Sequence, residues 1–207
     1  MKDELLRIEY GLDRMLWQDP DQNQLDVWRV ELQRGDADDR TEDGVRWGPI
    51  AEGVLYGIDT QRCRWLDEAP FEVADSHSAE AAYYYEQVFD ADGEFQPDVE
   101  EQFAWAPSRA LFLHDVSVDV PLRRRGYGSL LVADALLTLA AEGTAVFAHP
   151  GPTDRGPPND DDVARLRSET ENTRFLASLG FQPLRDRMWL LDLATEAALE
   201  TLAALRR

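Results

Sequence analysis

The chain almost lacks lysine and cysteine. Lys2 is its only lysine, so arginine carries nearly all of the positive charge. Cys63 is its only cysteine, which excludes an intrachain disulfide and suits a reducing cytoplasm. No run of about 18 apolar residues is present, so a membrane-spanning helix is not expected. The opening MKDELLRIEY is charged where an export signal would be apolar; we expect a soluble, cytoplasmic protein. His77, His114 and His149 have no ligand-like spacing with Cys63 or with one another, so no metal site is expected. A Walker loop and a G-x-S-x-G nucleophile elbow are both missing.

What is present is a chain of 207 residues, 43% hydrophobic, with enough apolar material for a substantial core. Its 41 acidic residues against 21 basic ones give a net charge of −20. Such a surface repels nucleic-acid phosphates and anionic membranes, so neither is expected as a partner. The excess tilts the choice of ligand toward a cation. Adaptation to salt, or a codon bias toward arginine, produces the same composition, so the charge identifies no substrate.

Two unlike halves follow one another. In residues 1–108, LDVWRVEL reads as a strand followed by a polar loop, RGDADDRTEDG, that no core could accept. IAEGVLYGI reads as a second strand, with Gly53 and Gly57 allowing close approach or a bulge. Ser76 or Ser78 can cap a helix over AEAAYYYEQVF, and one of Tyr83, Tyr84 and Tyr85 must lie off its buried stripe. A short helix is expected over PDVEEQFAW. Trp17, Trp28, Trp47, Trp65, Trp105 and Trp189 read as core and interface anchors before an aromatic pocket.

The second half is clearer. SRALFLHDVSV is a strand, SLLVADALLTLAAEG a helix ended by Gly143 at its C′ position, and TAVFAHP a short buried strand. Pro150, Pro152, Pro157 and Pro158, four of the 11 prolines, keep the next segment irregular. Asp160–Asp162 place negative charge at the start of a helix through VARLRSETENTRFLASL. FQPL and MWLLDL form a closing hairpin. TEAALETLAALRR is a final amphipathic helix, whose Leu199, Leu202 and Leu205 could pack on the sheet or pair subunits in a homodimer. The order of elements is that of an α/β domain.

The chemistry concentrates where the first of these strands meets its helix. Backbone N–H groups at a helix N-terminus are unpaired and carry the positive end of the dipole, a natural seat for phosphate. Close approach of a phosphate excludes bulky side chains and favours glycine. Arg123-Arg124-Arg125-Gly126-Tyr127-Gly128 supplies two glycines, amides that enter the helix, and three guanidinium groups. By itself an R-x-x-G-x-G turn is equally compatible with plain structure. It is not a dinucleotide fingerprint, because Leu131 occupies the third glycine position.

VSVDVPLRRRGYGSLLVADAL resembles the acetyl-CoA-binding motif of the GNAT superfamily of N-acetyltransferases, and TRFLASLGFQPLRDRMWLLDL resembles its second motif. Both lie in the family's order, with a strand and a helix between them. The match spans about residues 109–193. The resemblance implies one domain of mixed-sheet α/β (α+β) architecture. Residues 1–108 would form an atypical acceptor-side half, 109–193 the cofactor core, and 194–207 a closing helix. It implies acetyl-CoA, or another acyl-CoA, held by the amides of Arg124 to Gly128, Tyr127 and Ser129 among them. Val116 and Val118 would pair with the pantetheine arm where the two central strands splay apart. Arg123, Arg124 and Arg125 would reach the nucleotide's 3′-phosphate, with Asn172 and Arg174 as weaker contacts.

The implied reaction is direct attack of an amine on the thioester, which needs a base, a stabilised oxyanion and a proton for the departing thiolate. His114 and Asp115 are the candidate bases. His114 alternates with Phe112 and Val116 on an apolar face, while Asp115 faces the other way with Ser117; a strand bulge would exchange these faces. Where many members carry a tyrosine as the acid, this chain has Leu176. Water, Tyr127 or one of Tyr83–Tyr85 would have to substitute, or catalysis is lost. The expected partner is a small-molecule or peptide amine. The rival reading is a non-catalytic acyl-CoA-binding sensor or interaction module.

Overall fold

A computed structural model describes residues 5–13, 25–41, 44–61, 63, 78–141, 143–151, 162–185 and 187–206. Among these the chain forms β1 (Leu5–Asp13), β2 (Leu25–Thr41), β3 (Gly44–Asp59), α1 (Ala79–Val88), α2 (Pro97–Glu100) and β4 (Arg109–Val118). A 3-10 turn (Val120–Leu122), α3 (Tyr127–Leu139), β5 (Thr144–Ala148), α4 (Asp162–Ser178), β6 (Gln182–Pro183), β7 (Trp189–Asp192) and α5 (Glu196–Leu205) follow. Ser76 and the segment 152–161, with Asp160 and Asp161, lie outside the described residues.

The strands make one mixed sheet in the order β1-β2-β3-β4-β5-β7-β6. Only β4 and β5 run parallel, joined by α3; every other neighbour is antiparallel. Alternation along the central strands sends side chains to two cores. Leu111 and Leu113 of β4, with Val146 and Ala148 of β5, pack toward α3, the C-terminal turns of α4, and α5. Ala110 and Phe112, with Ala145 and Phe147, pack toward α1 and α2. Each fully buried leucine or phenylalanine contributes about 1.5–3 kcal/mol relative to exposure.

Local chemistry explains the ends of elements. Ser78 caps α1 by accepting the Ala81 N–H at 3.1 Å. Tyr84 and Tyr85 are buried and Tyr83 is half-buried, so the tyrosine run straddles the edge of the stripe.

Two expectations are corrected. The polar stretch after LDVWRVEL is not a loop: β2 and β3 continue as a hairpin, with Asp36 opposite Arg46 and Thr41 opposite Gly44. An antiparallel ladder satisfies its own N–H and C=O groups, so the hairpin extends without needing a core. Gly143 is also not the helix cap. α3 ends at Leu139, with extended Ala140 as its C-cap. The Thr144 hydroxyl takes the Ala141 N–H at 3.1 Å and donates to its carbonyl at 2.8 Å, drawing the chain off the helix early. Gly143, at φ +76°, then turns the chain into β5. β1 was not foreseen at all; its side chains alternate only weakly between half-buried and exposed.

Candidate functional site

The site begins where the two parallel strands stop pairing. Partners run from Arg109↔Thr144 to Leu113↔Ala148, and there β5 ends. β4 goes on to Val118, still paired with β3 on its other side. Among the described residues, the backbone from His114 to Val118 therefore has one ladder edge without a strand beside it.

β4 also changes face at this point. Leu55 lies opposite Leu113 and Val54 opposite Asp115, so His114 is the extra residue of a bulge. His114 shares the face of Phe112: its ring stacks on Tyr56 at 4.9 Å and meets Tyr84 edge-on at 6.0 Å. Val116 and Val118 turn to the other core, beside Leu111 and Leu113. The simple alternation that grouped Phe112, His114 and Val116 is thereby corrected. His114 and Asp115 now line one cleft.

Past Val118 the chain is pinned to β3 by the Asp119 N–H, which bonds the Ile50 carbonyl at 3.0 Å. It then crosses the 3-10 turn into the arginine–glycine loop. Arg124 and Gly126 both have positive φ, +66° and +87°. These two positive-φ residues turn the chain sharply into the first turn of α3, whose N–H groups lack intrahelical partners. Gly126 is the N-cap of α3, and no side chain caps the helix there. An added Cβ at Gly126 would meet nothing within 4 Å, so its φ is what requires glycine. At Gly128 the space is tight: a Cβ there would lie 3.3 Å from a Val118 methyl and 3.6 Å from Phe175, so Val118 would have to give by a few tenths of an ångström.

The arginines divide. Arg123 donates from Nε to the Val118 carbonyl at 3.0 Å, clamping the end of β4. Arg124 reaches Glu171 of α4 at 2.8 Å, an exposed pair that spans the cleft. Arg125 does not line this cleft; it borders a neighbouring depression with Arg34, Arg46 and Trp47.

The cleft has two adjoining parts. One part, of about 670 Å³, follows the loop past Ser117, Gly126, Gly128, Ser129 and Arg174. The other, of about 440 Å³, lies in the splay between β4 and β5. Asp115, Val116, Asn172 and Phe175 border both. Asn172 donates to the Pro150 carbonyl at 2.8 Å, tying α4 to the end of β5. The cleft is polarised: Arg123, Arg124 and Arg174 border the loop end, with Glu171 paired to Arg124, whereas Asp115 is the one carboxylate among the described residues of the inner wall.

The inner wall also holds residues that the sequence reading did not place there. His149, at the end of β5, lines it with Tyr84 and His114, and Tyr83 approaches His149 edge-on at 5.8 Å. Only the expectation that the two strands splay apart could have located His149 in advance. Tyr85, by contrast, is withdrawn from the cleft. It is buried against Phe89 and Phe112, and burial pushes its hydroxyl well above the usual tyrosine range. Leu176, 3% exposed, is an apolar part of the wall. Among the described residues, no group of three or more histidine, cysteine, aspartate or glutamate side chains is arranged to hold a metal. No helix among them is long and apolar enough to cross a membrane.

No protein-family model matches the chain, and no curated protein matches it. Two solved structures are similar in shape. A tyrosine-to-phenylalanine mutant of KacT is 13% identical, with 86% of this chain and 75% of that one covered and a TM-score of 0.42. A KacTA–DNA complex is 12% identical, with 97% and 98% covered and a TM-score of 0.43. At these scores the likeness assigns neither a family nor a ligand, and the site stands on its own geometry.

Proposed function

We propose that the protein is an acyl-CoA-dependent N-acyltransferase of GNAT-like fold, transferring acetyl or another acyl group to an amine. The observation that carries this reading is the pair of adjoining clefts, which sets an uncapped helix N-terminus and arginine loop beside the edge of β4 that no described strand covers. A pyrophosphate seats on the amides from Arg124 to Ser129, and an amide-containing arm adds to β4 along Val116–Val118 as a short extra strand. The residues present fit such a ligand, since Gly126 leaves the loop open and no side chain competes for the first amides of α3. The bound acyl-CoA supplies an activated carbonyl.

The chain's own residues do the rest. The splay orients the arm, and Leu113, Phe175 and Leu176 exclude water from one side of the reacting end. His114 and Asp115, which line the inner part of the cleft, are the bases in this reading and take the protons that the acceptor nitrogen sheds. The polarity of the cleft favours an acceptor that arrives as a cation, opposite the arginine end. A second reading, an acyl-CoA-binding module without catalysis, rests on Leu176, which cannot donate a proton.

Calorimetric titration with acetyl-CoA and then with ATP tests the assignment. Binding of acetyl-CoA and not ATP is expected in the wild type. Gly126→Asp should weaken it by about 100-fold or more, because like charges placed together cost several kcal/mol. Gly126→Asn makes the same left-handed demand on the backbone without the charge, so it should retain most of the affinity. Equal binding by all three proteins would remove the loop from the site.

A further inference from the structure

β1 is an open edge of the sheet: among the described residues only β2 lies beside it. Its nine residues turn alternate backbone N–H and C=O groups outward, a template for another strand. Sheets protect such an edge with proline, lysine, a bulge or shortness. The opposite edge has two of these devices, since β6 is only Gln182–Pro183. β1 has none of the four. Its sequence LLRIEYGLD holds no proline or lysine, and its register with β2 runs unbroken from Leu5↔Gly35 to Asp13↔Val27.

The strand is also complementary to itself. On one face stand Leu6, Ile8 and Tyr10; Ile8 and Tyr10 rest on the core, while Leu6 is 38% exposed. A groove of about 500 Å³ beside them is bordered by Leu130 and Leu205, so the apolar strip continues onto α3 and α5. On the other face Arg7 and Glu9 are paired at 2.8 Å, and both remain open to solvent. Gln33 of β2 accepts from Arg7 Nε at 3.2 Å and donates to Glu9 at 2.9 Å, and the Trp47 ring lies 4.6 Å from the Arg7 guanidinium. Both charges are thus held at the edge before anything arrives.

We infer that β1 pairs antiparallel with β1 of a second copy of this chain, about a two-fold axis at Ile8. This register sets Arg7 opposite Glu9 of the partner subunit, and Glu9 opposite the partner's Arg7. It also sets Leu6 against the partner's Tyr10, and Ile8 against the partner's Ile8. Neighbouring registers are worse. An axis at Arg7 or at Glu9 opposes like charges. An axis at Tyr10 leaves Glu9 opposite a glycine and turns Arg7 to the partner's Asp13, although Asp13 is already engaged by Arg29 at 3.6 Å. The interface is isologous and joins two sheets into one. The net charge of −20 on each chain opposes association, but at physiological salt that repulsion reaches only about 8 Å.

Charge exchange tests both the surface and its register. In sedimentation velocity at about 0.15 M salt, the full chain should run as a dimer with a micromolar dissociation constant. Arg7→Glu and Glu9→Arg each set like charges against one another twice across the axis, so each alone should raise that constant by about 100-fold or more. Mixed in equal amounts, the two variants restore opposite charges at both contacts, and native mass spectrometry should find a dimer of unlike chains. Such recovery also shows that both variants are folded. Leu6→Lys, at a position already exposed, supplies the missing edge lysine and should weaken the dimer without changing the circular dichroism spectrum. A monomeric wild type would overturn the inference, as would charge variants that both stay dimeric. A mixture of folded variants that remains monomeric, or a Leu6→Lys dimer as tight as the wild type, would overturn it too.

Discussion

The meander β1–β3 and the centre β4–β5 belong to one sheet but are held together by different means. The meander's strands are 9, 17 and 16 residues long, and much of their length is not buried. β5 has only five residues, and all five are buried. Long antiparallel strands are stabilised by a ladder that completes itself; a short parallel strand persists because both of its faces are covered. The cleft arises at the border between these regimes. β3 accompanies β4 along its whole length, whereas β5 stops at Ala148, and the difference exposes the edge of β4. A single neighbour outrunning another makes the site.

The contrast predicts unequal sensitivity to truncation. Phe112 is fully buried, with Tyr84, Tyr85 and Phe147 around its ring at 5.6, 5.3 and 5.4 Å. Phe112→Ala should cost about 3–5 kcal/mol, since it removes apolar burial and leaves a cavity. Arg46→Ala, at an exposed position of the β2–β3 hairpin, should change stability by no more than about 1 kcal/mol, the range of an exposed polar contact. Urea unfolding of both variants measures this directly. Similar losses in the two would mean that the hairpin is as tightly coupled to the core as the centre is.

The same contrast explains what could be read from the sequence. β4, α3, β5 and the closing hairpin were legible because burial writes itself as apolar pattern: Leu111, Phe112 and Leu113 in one strand, Val146 and Phe147 in the next. The arginine–glycine loop was legible because Gly126 answers a demand of φ and Gly128 sits in a tight space beside Val118. The far half of the β2–β3 hairpin was not, since its pairing is a property of backbone and leaves no apolar mark. Nor was the bulge at His114, which depends on what β3 places opposite. His149 escaped because its place in the cleft arises from the divergence of two strands.

A smaller effect is expected at the seam between the regions. Arg109, the first residue of β4, reaches across β3 to Asp26 of β2 at 3.1 Å and also donates to the Leu139 carbonyl at 3.2 Å. The bridge passes over Gly57, where a Cβ would sit 3.3 Å from the guanidinium and 3.0 Å from Leu111. The pair's side chains are each 22% exposed, so solvent screens them only in part. Asp26→Asn should cost about 1–2 kcal/mol, the range of a charge-assisted hydrogen bond discounted for exposure. A loss as large as that of Phe112→Ala would show that one ion pair joins the meander to the centre.

The smallest effect carries a pH signature. Tyr10 of β1 donates to the buried Asp134 carboxylate of α3 and lies 3.3 Å from the Thr138 hydroxyl; Asp134 also holds Arg206, beyond α5, at 2.5 Å. Burial first, then the bond to Asp134, pushes the Tyr10 hydroxyl up to about 12 from the ordinary 10.0. A raised value means that folding favours the protonated hydroxyl. The stabilisation is therefore complete below about 10 and is lost as pH rises through about 12. Tyr10→Phe should cost about 1 kcal/mol near neutral pH, the net worth of one such hydrogen bond. Above about 12 the deficit should vanish, because the wild-type phenolate would then face the Asp134 carboxylate. Urea midpoints of the two proteins near neutrality and in this alkaline range make the comparison. A deficit that persists unchanged into alkali would show that Tyr10 acts through the packing of its ring, which would align the first strand of the meander with the buried centre.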